Sequence, residues 1–413
     1  MKFSSNLVTS SDAMRGINFR WRTFFLAWGF VYAFFVVPYW LLPSKKYESI
    51  PFISRANRLG ALNDTSNTTD DFTYRISYKG QTLVVKRILT DISMPSLKER
   101  LTPPSNGSKK RYILSESDFR EGNMGGCPDF NCEVHSAPDK NVVYDAVINV
   151  KNVKTNYRVF STQESPQNSQ DFADANYNMS IGFRHDSPVS SPYGYAAELA
   201  QPRKFEDVVN IASVKNKTKG AMWLVSHCGT SSRREALVDH LKEYIDIDIL
   251  GACGKPCAKG GECESTKDHH FYLAVENSIC KDYITEKLWG TGFKDDVIPI
   301  VLKRSVVEAY VPPKSVIAFD DYNSIEEMGK HLQELLHDKE KFLDYFKWRE
   351  NYAVIYLDGL THDVLERPWG ICQLCRLTHL DPLPEYRITD MKKHWTNTCE
   401  SGVALVDRLT KTG

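Results

Sequence analysis

Between Phe24 and Leu42 the chain reads FFLAWGFVYAFFVVPYWLL, without a single charged residue. A run of roughly 20 apolar residues is long enough to cross a bilayer as a helix, the one open-chain form that satisfies its own backbone in hydrocarbon. Arg22 precedes it, Lys45 and Lys46 come after it, and tryptophan and tyrosine stand at its far end, where the interface belt lies. The alternative is a cleaved secretion signal. Such signals have shorter apolar cores and small residues before the cut, and PYWLLP at this end is a poor cleavage site. The expectation is a signal anchor over 24–42 behind a cytoplasmic tail at 1–23.

Sequons and cysteines fix the direction of the run. N-x-S/T sequons occur at Asn63, Asn67, Asn106, Asn178 and Asn216, all beyond it. A single sequon is a weak signal, but all of them on one side fit a lumenal, glycosylated part. The 10 cysteines also lie beyond it, where an oxidising lumen would pair them. The balance of 52 basic and 52 acidic residues argues against a nucleic-acid partner.

Residues 43–110 are rich in Asn, Asp, Ser and Thr and read as a stem, interrupted by the strand-like pair FTYRISY and QTLVVKRIL. From Arg111 the pattern is α/β. YILSE, VVYDAVINV and YRVFSTQES are strand candidates, and KNKTKG (215–220) reads as a linker. Beyond it AMWLVS, IDIDIL, FYLAVE, DVIPIVL and SVIAF alternate with helical patterns, one opened by Ser324 and Glu327 as a capping box. Alternation of this kind predicts parallel sheets with crossover helices, here in two nucleotide-binding-type halves around a cleft.

Several stretches carry chemistry. SHCGTSSRREAL places a small-residue loop between a strand and a helix, where free N–H groups attract anions. Arg233 and Arg234 sit at that helix start, a position the dipole disfavours for cations unless an anion is bound. ENSICKDYITEKLW crowds ionisable groups at the end of an apolar strand. A helix from Asp282 would put Tyr283, Glu286 and Lys287 on one face and Ile284 and Leu288 behind it. With Glu276 and Asn277 at the strand end, this set suits a polar, anionic ligand such as a sugar nucleotide, although a solvated amphipathic helix would look similar. Glu164, in the turn QESP, could be a general base or only a turn residue. Asp246 and Asp248 form a D-x-D, but inside IDIDIL they alternate as strand residues do and do not suggest a metal site. Cys372 and Cys375 could bind zinc; a lumenal location favours disulfides.

At FYLAVENSICKDYITEKLW the sequence resembles the α1,3-fucosyltransferases, and the resemblance runs from about Tyr112 to Thr378 through ESP, FRHDSP with PYGY after it, VSHCGTSSRR, KWRENY and CQLC. It implies a type II Golgi membrane protein of GT-B form. An acceptor-side Rossmann-like domain would lie at 111–214 and a GDP-fucose-binding one at 221–360. The segment 361–413 would pack back on the first. It implies inverting transfer of fucose from GDP-fucose to the 3-hydroxyl of a GlcNAc residue in a glycoprotein or glycolipid glycan. Glu164 would be the base, and Arg233, Asn277, Tyr283, Glu286 and Lys287, with Glu276, the donor-binding set. It implies no essential metal, a divalent cation such as Mn2+ acting at most as a stimulant, and pairing of Cys127 and Cys132 with Cys372 and Cys375. His185, Pro188, His227 and Val275 depart from the family pattern near the cleft, so the acceptor stays open between core GlcNAc and antenna. The competing functions are a lumenal transferase using another nucleotide sugar and a non-catalytic glycan-binding ectodomain. Oligomeric state is not legible.

Overall fold

A computed structural model describes residues 74–411, apart from 79, 91, 93, 106–108, 116–123, 170–175, 258–262, 264 and 359–363. The proposed tail, the anchor at 24–42, and the sequons at Asn63, Asn67 and Asn106 lie outside the described residues. Among the described residues no helix is long and apolar enough to cross a membrane.

Two parallel five-stranded sheets organise the chain. The first contains β3 (Arg111–Ser115), β4 (Cys132–His135), β5 (Ala146–Ile148), β6 (Tyr157–Ser161) and β7 (Met179–Ile181), in the order β4-β3-β5-β6-β7. The second contains β9 (Lys219–Leu224), β10 (Ile247–Leu250), β11 (His269–Leu273), β13 (Ile298–Val301) and β14 (Ile317–Ala318), in the order β10-β9-β11-β13-β14. Both therefore run second, first, third, fourth, fifth in chain order, the doubly wound arrangement whose order reverses beside the first strand. The central strands β5, β11 and β13 are buried at every position, which is why they read as continuous apolar runs rather than alternating ones. Asp248 sits in the edge strand β10, where its carboxylate meets His269 at 2.9 Å and Lys219 at 3.2 Å.

A third, antiparallel sheet joins β1 (Tyr74–Tyr78), β2 (Gln81–Ile88), β8 (Gly194–Leu199) and β15 (Tyr352–Tyr356) in that order. Its inner face packs Ile76, Leu83 and Val85 against Tyr195, Ala197, Ala353 and Trp369. A short antiparallel pair, β12 (Ile279–Cys280) with β16 (Cys399–Glu400), ties the end of the chain beside the second sheet. The strand pair seen inside the expected 43–110 stem thus belongs to the folded body, because its alternating apolar face completes the core of the antiparallel sheet. KNKTKG is likewise not a loose linker. Lys217 is 4% exposed, its ammonium donates to the carbonyls of Lys267 and Asp295, and β9 already begins at Lys219. Burial pushes that ammonium down to about 8, against the pull of Asp296, Asp295 and Asp268.

The C-terminal segment divides between the two halves. Helix Gly370–Thr378 covers the first sheet, with Ile371, Leu374 and Leu377 against Ile113, Ile148 and Val159. Helix Val403–Thr410 instead buries Leu405 and Leu409 beside Leu237 in the second core. The segment 361–413, expected to pack back on the first domain, thus sends one helix there, while the apolar face of its last helix lies in the second half.

All 10 cysteines are paired: Cys127–Cys372, Cys132–Cys375, Cys228–Cys253, Cys257–Cys263 and Cys280–Cys399. Cys127–Cys372 closes a separation of 245 residues, worth about 5 kcal/mol in the chain-entropy view. Its neighbour Cys132–Cys375 then closes only the short ring between them, so the two contributions do not add.

The two described sequons differ in environment. Asn216 is an exposed helix C-cap. Asn178 donates its amide nitrogen to the Tyr386 carbonyl at 2.9 Å and accepts from the Arg158 N–H at 2.7 Å. A glycan on that nitrogen would have to displace the stretch of chain around Tyr386. Peptide mass spectrometry of protein from a eukaryotic secretory host should find Asn216 occupied and Asn178 bare; an occupied Asn178 in folded protein would contradict the packing described.

Candidate active site

The order reversal in the second sheet falls between β9 and β11, and ligands of open α/β sheets bind outside the carboxyl ends of such strands. Two segments meet there. One is the loop 226–233 after β9; the other is Glu276–Asn277–Ser278 after β11. Short side chains hold them together. Ser232 donates its hydroxyl to the Glu276 carbonyl at 2.7 Å and its N–H to the Asn277 carbonyl at 3.2 Å, and the Ser231 hydroxyl reaches the latter carbonyl at 3.2 Å.

The two arginines of the loop have different fates. Arg234 is 1% exposed and donates to the carbonyls of Val275 and His227, each at 2.7 Å, with its guanidinium 5.5 Å from the Trp223 ring centre. It is a structural cation. Arg233 is exposed, takes a left-handed backbone (φ 55°) as N-cap of helix Arg234–Leu241, and among the described residues forms no ion pair. A non-glycine residue there costs about 1 kcal/mol, a strain that tends to be kept where it aims a functional side chain.

Next to this loop lies a compact charge cluster. Glu276 is 8% exposed; one oxygen accepts from the Thr285 N–H and hydroxyl, both at 2.8 Å, and the other meets the Lys287 ammonium at 3.1 Å. That ammonium also contacts Glu286 at 3.1 Å and donates to Thr285 Oγ1 at 2.9 Å. Burial alone would lower Lys287, but Glu276 and Glu286 more than reverse it and hold the ammonium above its ordinary range. Lys287 is therefore a fixed cation between two carboxylates.

The local backbone differs from expectation. No helix starts at Asp282. That residue is left-handed (φ 62°) and 5% exposed, accepting from the His185 N–H at 3.0 Å and the Tyr310 hydroxyl at 2.8 Å. A π-helix instead covers Lys287–Gly292. Tyr283, Glu286 and Lys287 consequently do not share a helical face, although Ile284 and Leu288 are buried as anticipated, at 3% and 0%. π-Turns of this kind recur at functional sites.

The first sheet contributes Glu164, half-buried in the turn after β6. Its Oε1 accepts from the Ser165 N–H at 2.8 Å, the Tyr283 hydroxyl at 2.8 Å and the Asn277 amide at 3.3 Å. Two of those donors come from the second half. Among the described residues Oε2 has no hydrogen-bond donor. Burial pushes the carboxyl up, yet the Ser165, Tyr283 and Asn277 hydrogen bonds and the Lys287 charge together hold it below the ordinary range. Tyr283, 3% exposed, is raised well above a free phenol, by burial first and then by Glu276 and Glu164. It stays a neutral donor, with its hydroxyl given to Glu164. Asn277 is 6% exposed and its Oδ1 has no partner among the described residues, an open acceptor beside Glu164.

Five of the seven expected site residues, Glu164, Glu276, Asn277, Tyr283 and Lys287, thus converge in one connected network, with Glu286 at its rim and Arg233 facing outward. The sequence reading missed the residues that lock it: Ser165 and Ser278, whose hydroxyls meet at 2.8 Å across the halves, and Thr285 and Asp282. Nothing in a one-dimensional pattern marks a serine or threonine as buried. Among the described residues, Cys132, Cys375 and His379 bring three metal-ligating types together, but the two sulfurs are bonded to each other and are not thiolates.

Known proteins resemble this chain. The family model for the C-terminal part of glycosyltransferase family 10 (fucosyltransferase) matches residues 214–395. An α-(1,3)-fucosyltransferase of Caenorhabditis elegans is 45% identical over 339 residues, covering 79% of this chain and 78% of that protein. A 4-galactosyl-N-acetylglucosaminide 3-α-L-fucosyltransferase of Pan troglodytes is 35% identical over 196 residues, 46% of this chain and 54% of that protein, so the match spans about half of that relative. A crystal structure of an α1,3-fucosyltransferase with GDP-fucose aligns with a TM-score of 0.45 at 19% identity, over 70% of this chain and 95% of the other.

Removing one partner of a buried ion pair leaves the other unpaired, at a cost of about 3 kcal/mol. Lys287→Ala should therefore lower the melting temperature, and adding Glu276→Gln should restore much of it. A double variant no more stable than Lys287→Ala would contradict the pairing described.

Proposed function

The chain belongs to the α1,3-fucosyltransferases of glycosyltransferase family 10, and from that premise we propose that it transfers fucose from GDP-fucose to the 3-hydroxyl of a GlcNAc residue, with inversion and with Glu164 as general base. The acceptor class is taken from the Pan troglodytes relative, whose name specifies a 4-galactosyl-N-acetylglucosaminide. The observation that carries the reading is the position of Glu164. It is bound through Oε1 by Tyr283 and Asn277 of the other half, with Oε2 left for a ligand.

In the proposed GT-B reading the two sheets are Rossmann-like domains, and the donor lies against the carboxyl ends of β9 and β11. Arg233 and Lys287 face the diphosphate, and Glu286, whose side chain is 47% exposed, is the carboxylate available to ribose or fucose hydroxyls. As the acceptor oxygen bonds to the anomeric carbon, its proton passes to Oε2 of Glu164. The bond to the β-phosphate oxygen breaks on the opposite face, so the β-linked sugar becomes α-linked. The negative charge released on GDP develops beside fixed cations, which favours the transition state over the ground state. Pairing of every cysteine supports an oxidising compartment, and with the apolar run at 24–42 it supports the proposal of a Golgi type II enzyme with its catalytic part in the lumen.

Glu164→Gln keeps the shape and should still bind GDP-fucose, while transfer falls by about 100-fold or more. Wild-type turnover in that variant would remove Glu164 from the chemistry. The pH profile gives a second check. Because the folded carboxyl lies below 4.5, the base is ionised through the neutral range, and kcat/KM should decline on the acid side with a midpoint under that value. Tyr283→Phe removes a donor to the carboxylate and should move the midpoint upward.

A further inference from the structure

A second cleft, of about 480 Å3, lies between the outer face of the antiparallel sheet and the π-helix. That volume is within the range of about 300–1,000 Å3 typical of ligand sites. Aromatic rings dominate its wall: Tyr78, Phe293, Trp348, Tyr352 and Tyr356. Phe293 and Trp348 meet edge to face with centroids 5.5 Å apart, and the Tyr356 ring packs over Gly290, where a Cβ would lie 3.0 Å from its Cζ. Tyr356 is nevertheless 39% exposed.

Four charged residues line this cleft: Arg203, Asp207, Lys294 and Arg349. Arg203 donates to the carbonyls of Arg349 and Tyr352 at 2.7 and 2.6 Å. Arg349 is ion-paired to Asp296 and stacks on Phe346 and Trp348 at 4.9 and 5.4 Å. Asp296 thus neutralises Arg349, whereas Arg203 keeps its charge and donates to backbone carbonyls. What remains at the rim is Lys294 and Asp207, of opposite sign, both exposed, and neither in an ion pair among the described residues. Flat aromatic faces with a polar rim suit a ligand with apolar C–H faces and many hydroxyls.

We propose that this cleft binds an oligosaccharide, with pyranose faces stacked on Tyr356, Tyr352 and Trp348 and hydroxyls met by Gln81, Asp207 and Lys294. Nothing in the proposed reaction requires this site. It extends the reading of the protein as a glycan-modifying enzyme by giving the glycan a second hold, away from Glu164. The π-helix connects the two, since Lys287 at its start serves the charge cluster and Gly290 lines the cleft.

The test measures binding, not turnover, so it fails separately from the assignment of Glu164. Chitotetraose, as a neutral probe, is titrated calorimetrically into the full chain without donor. The variants are Tyr356→Ala, Gln81→Trp to narrow the mouth from an exposed position, and Glu164→Gln, each checked by thermal melting. The expected result is an affinity loss of about tenfold in Tyr356→Ala and a loss in Gln81→Trp. A loss confined to Glu164→Gln would place the saccharide only at the charge cluster. Unchanged affinity in all three variants would equally overturn the proposal.

Discussion

The backbone at the end of β11 is the point on which the site depends, and Arg234 is what fixes it. A strand that stops in a buried setting leaves carbonyls without ladder partners, each costly to bury unsatisfied. Arg234 reaches from the first turn of the helix after β9 and satisfies Val275, while Ser231 and Ser232 take the carbonyls of Asn277 and Glu276. A guanidinium can do this where a lysine could not, because its planar fork serves two carbonyls at once and is less strongly hydrated. With these carbonyls held, the side chains of Glu276 and Asn277 have defined directions. Gly402 then closes the loop from behind: a Cβ there would stand 1.8 Å from the Ser232 carbonyl, so only glycine permits the approach.

Charge at the site is arranged around a deficit. Glu276, Glu286 and Lys287 together carry one excess negative charge, and Glu164 adds another nearby. A site intended for a diphosphate would be repelled by that balance if the carboxylates faced it. The geometry separates them: Glu276 is turned inward onto Thr285, and Glu164 is held by neutral donors on the other half. Arg233 is the exposed cation of the set, which explains why strain is tolerated in its backbone. The ordering of Arg233 outside and Arg234 inside is what lets one loop be a structural clamp and, in the proposed reading, an anion contact as well.

Periodicity and strand-end logic made the two parallel sheets legible, along with the convergence of Glu276, Asn277 and Lys287 on the carboxyl end of a buried strand. What they could not reach was set by tertiary contacts. The helix expected from Asp282 presumes ordinary dihedrals, whereas Asp282 is turned left-handed by its bonds to His185 and Tyr310, on other segments, and the turn re-forms later with π geometry. The stem strands look polar in sequence because only one face is apolar; their membership of the core rests on β8, far along the chain, offering an unpaired edge. Arg233 and Arg234 are indistinguishable as letters, and only tertiary contacts, the carbonyls of Val275 and His227 and the ring of Trp223, separate them.

The depressed carboxyl of Glu164 raises a chemical objection, since a weaker base accepts a proton less readily. Two effects answer it in the proposed reaction. Burial already pushes this carboxyl upward and is outweighed only by hydrogen bonds to Oε1 and the Lys287 charge. An acceptor seated on Oε2 would exclude the remaining water, strengthen that desolvation and raise the basicity of the oxygen that receives the proton. Meanwhile the acceptor hydroxyl becomes strongly acidic as its oxygen bonds to the anomeric carbon, so the proton need not move until that bond is partly formed. A low starting value then has a use: the base is wholly ionised in a mildly acidic lumen before any acceptor arrives, and Tyr283 and Asn277 keep its other oxygen from turning away.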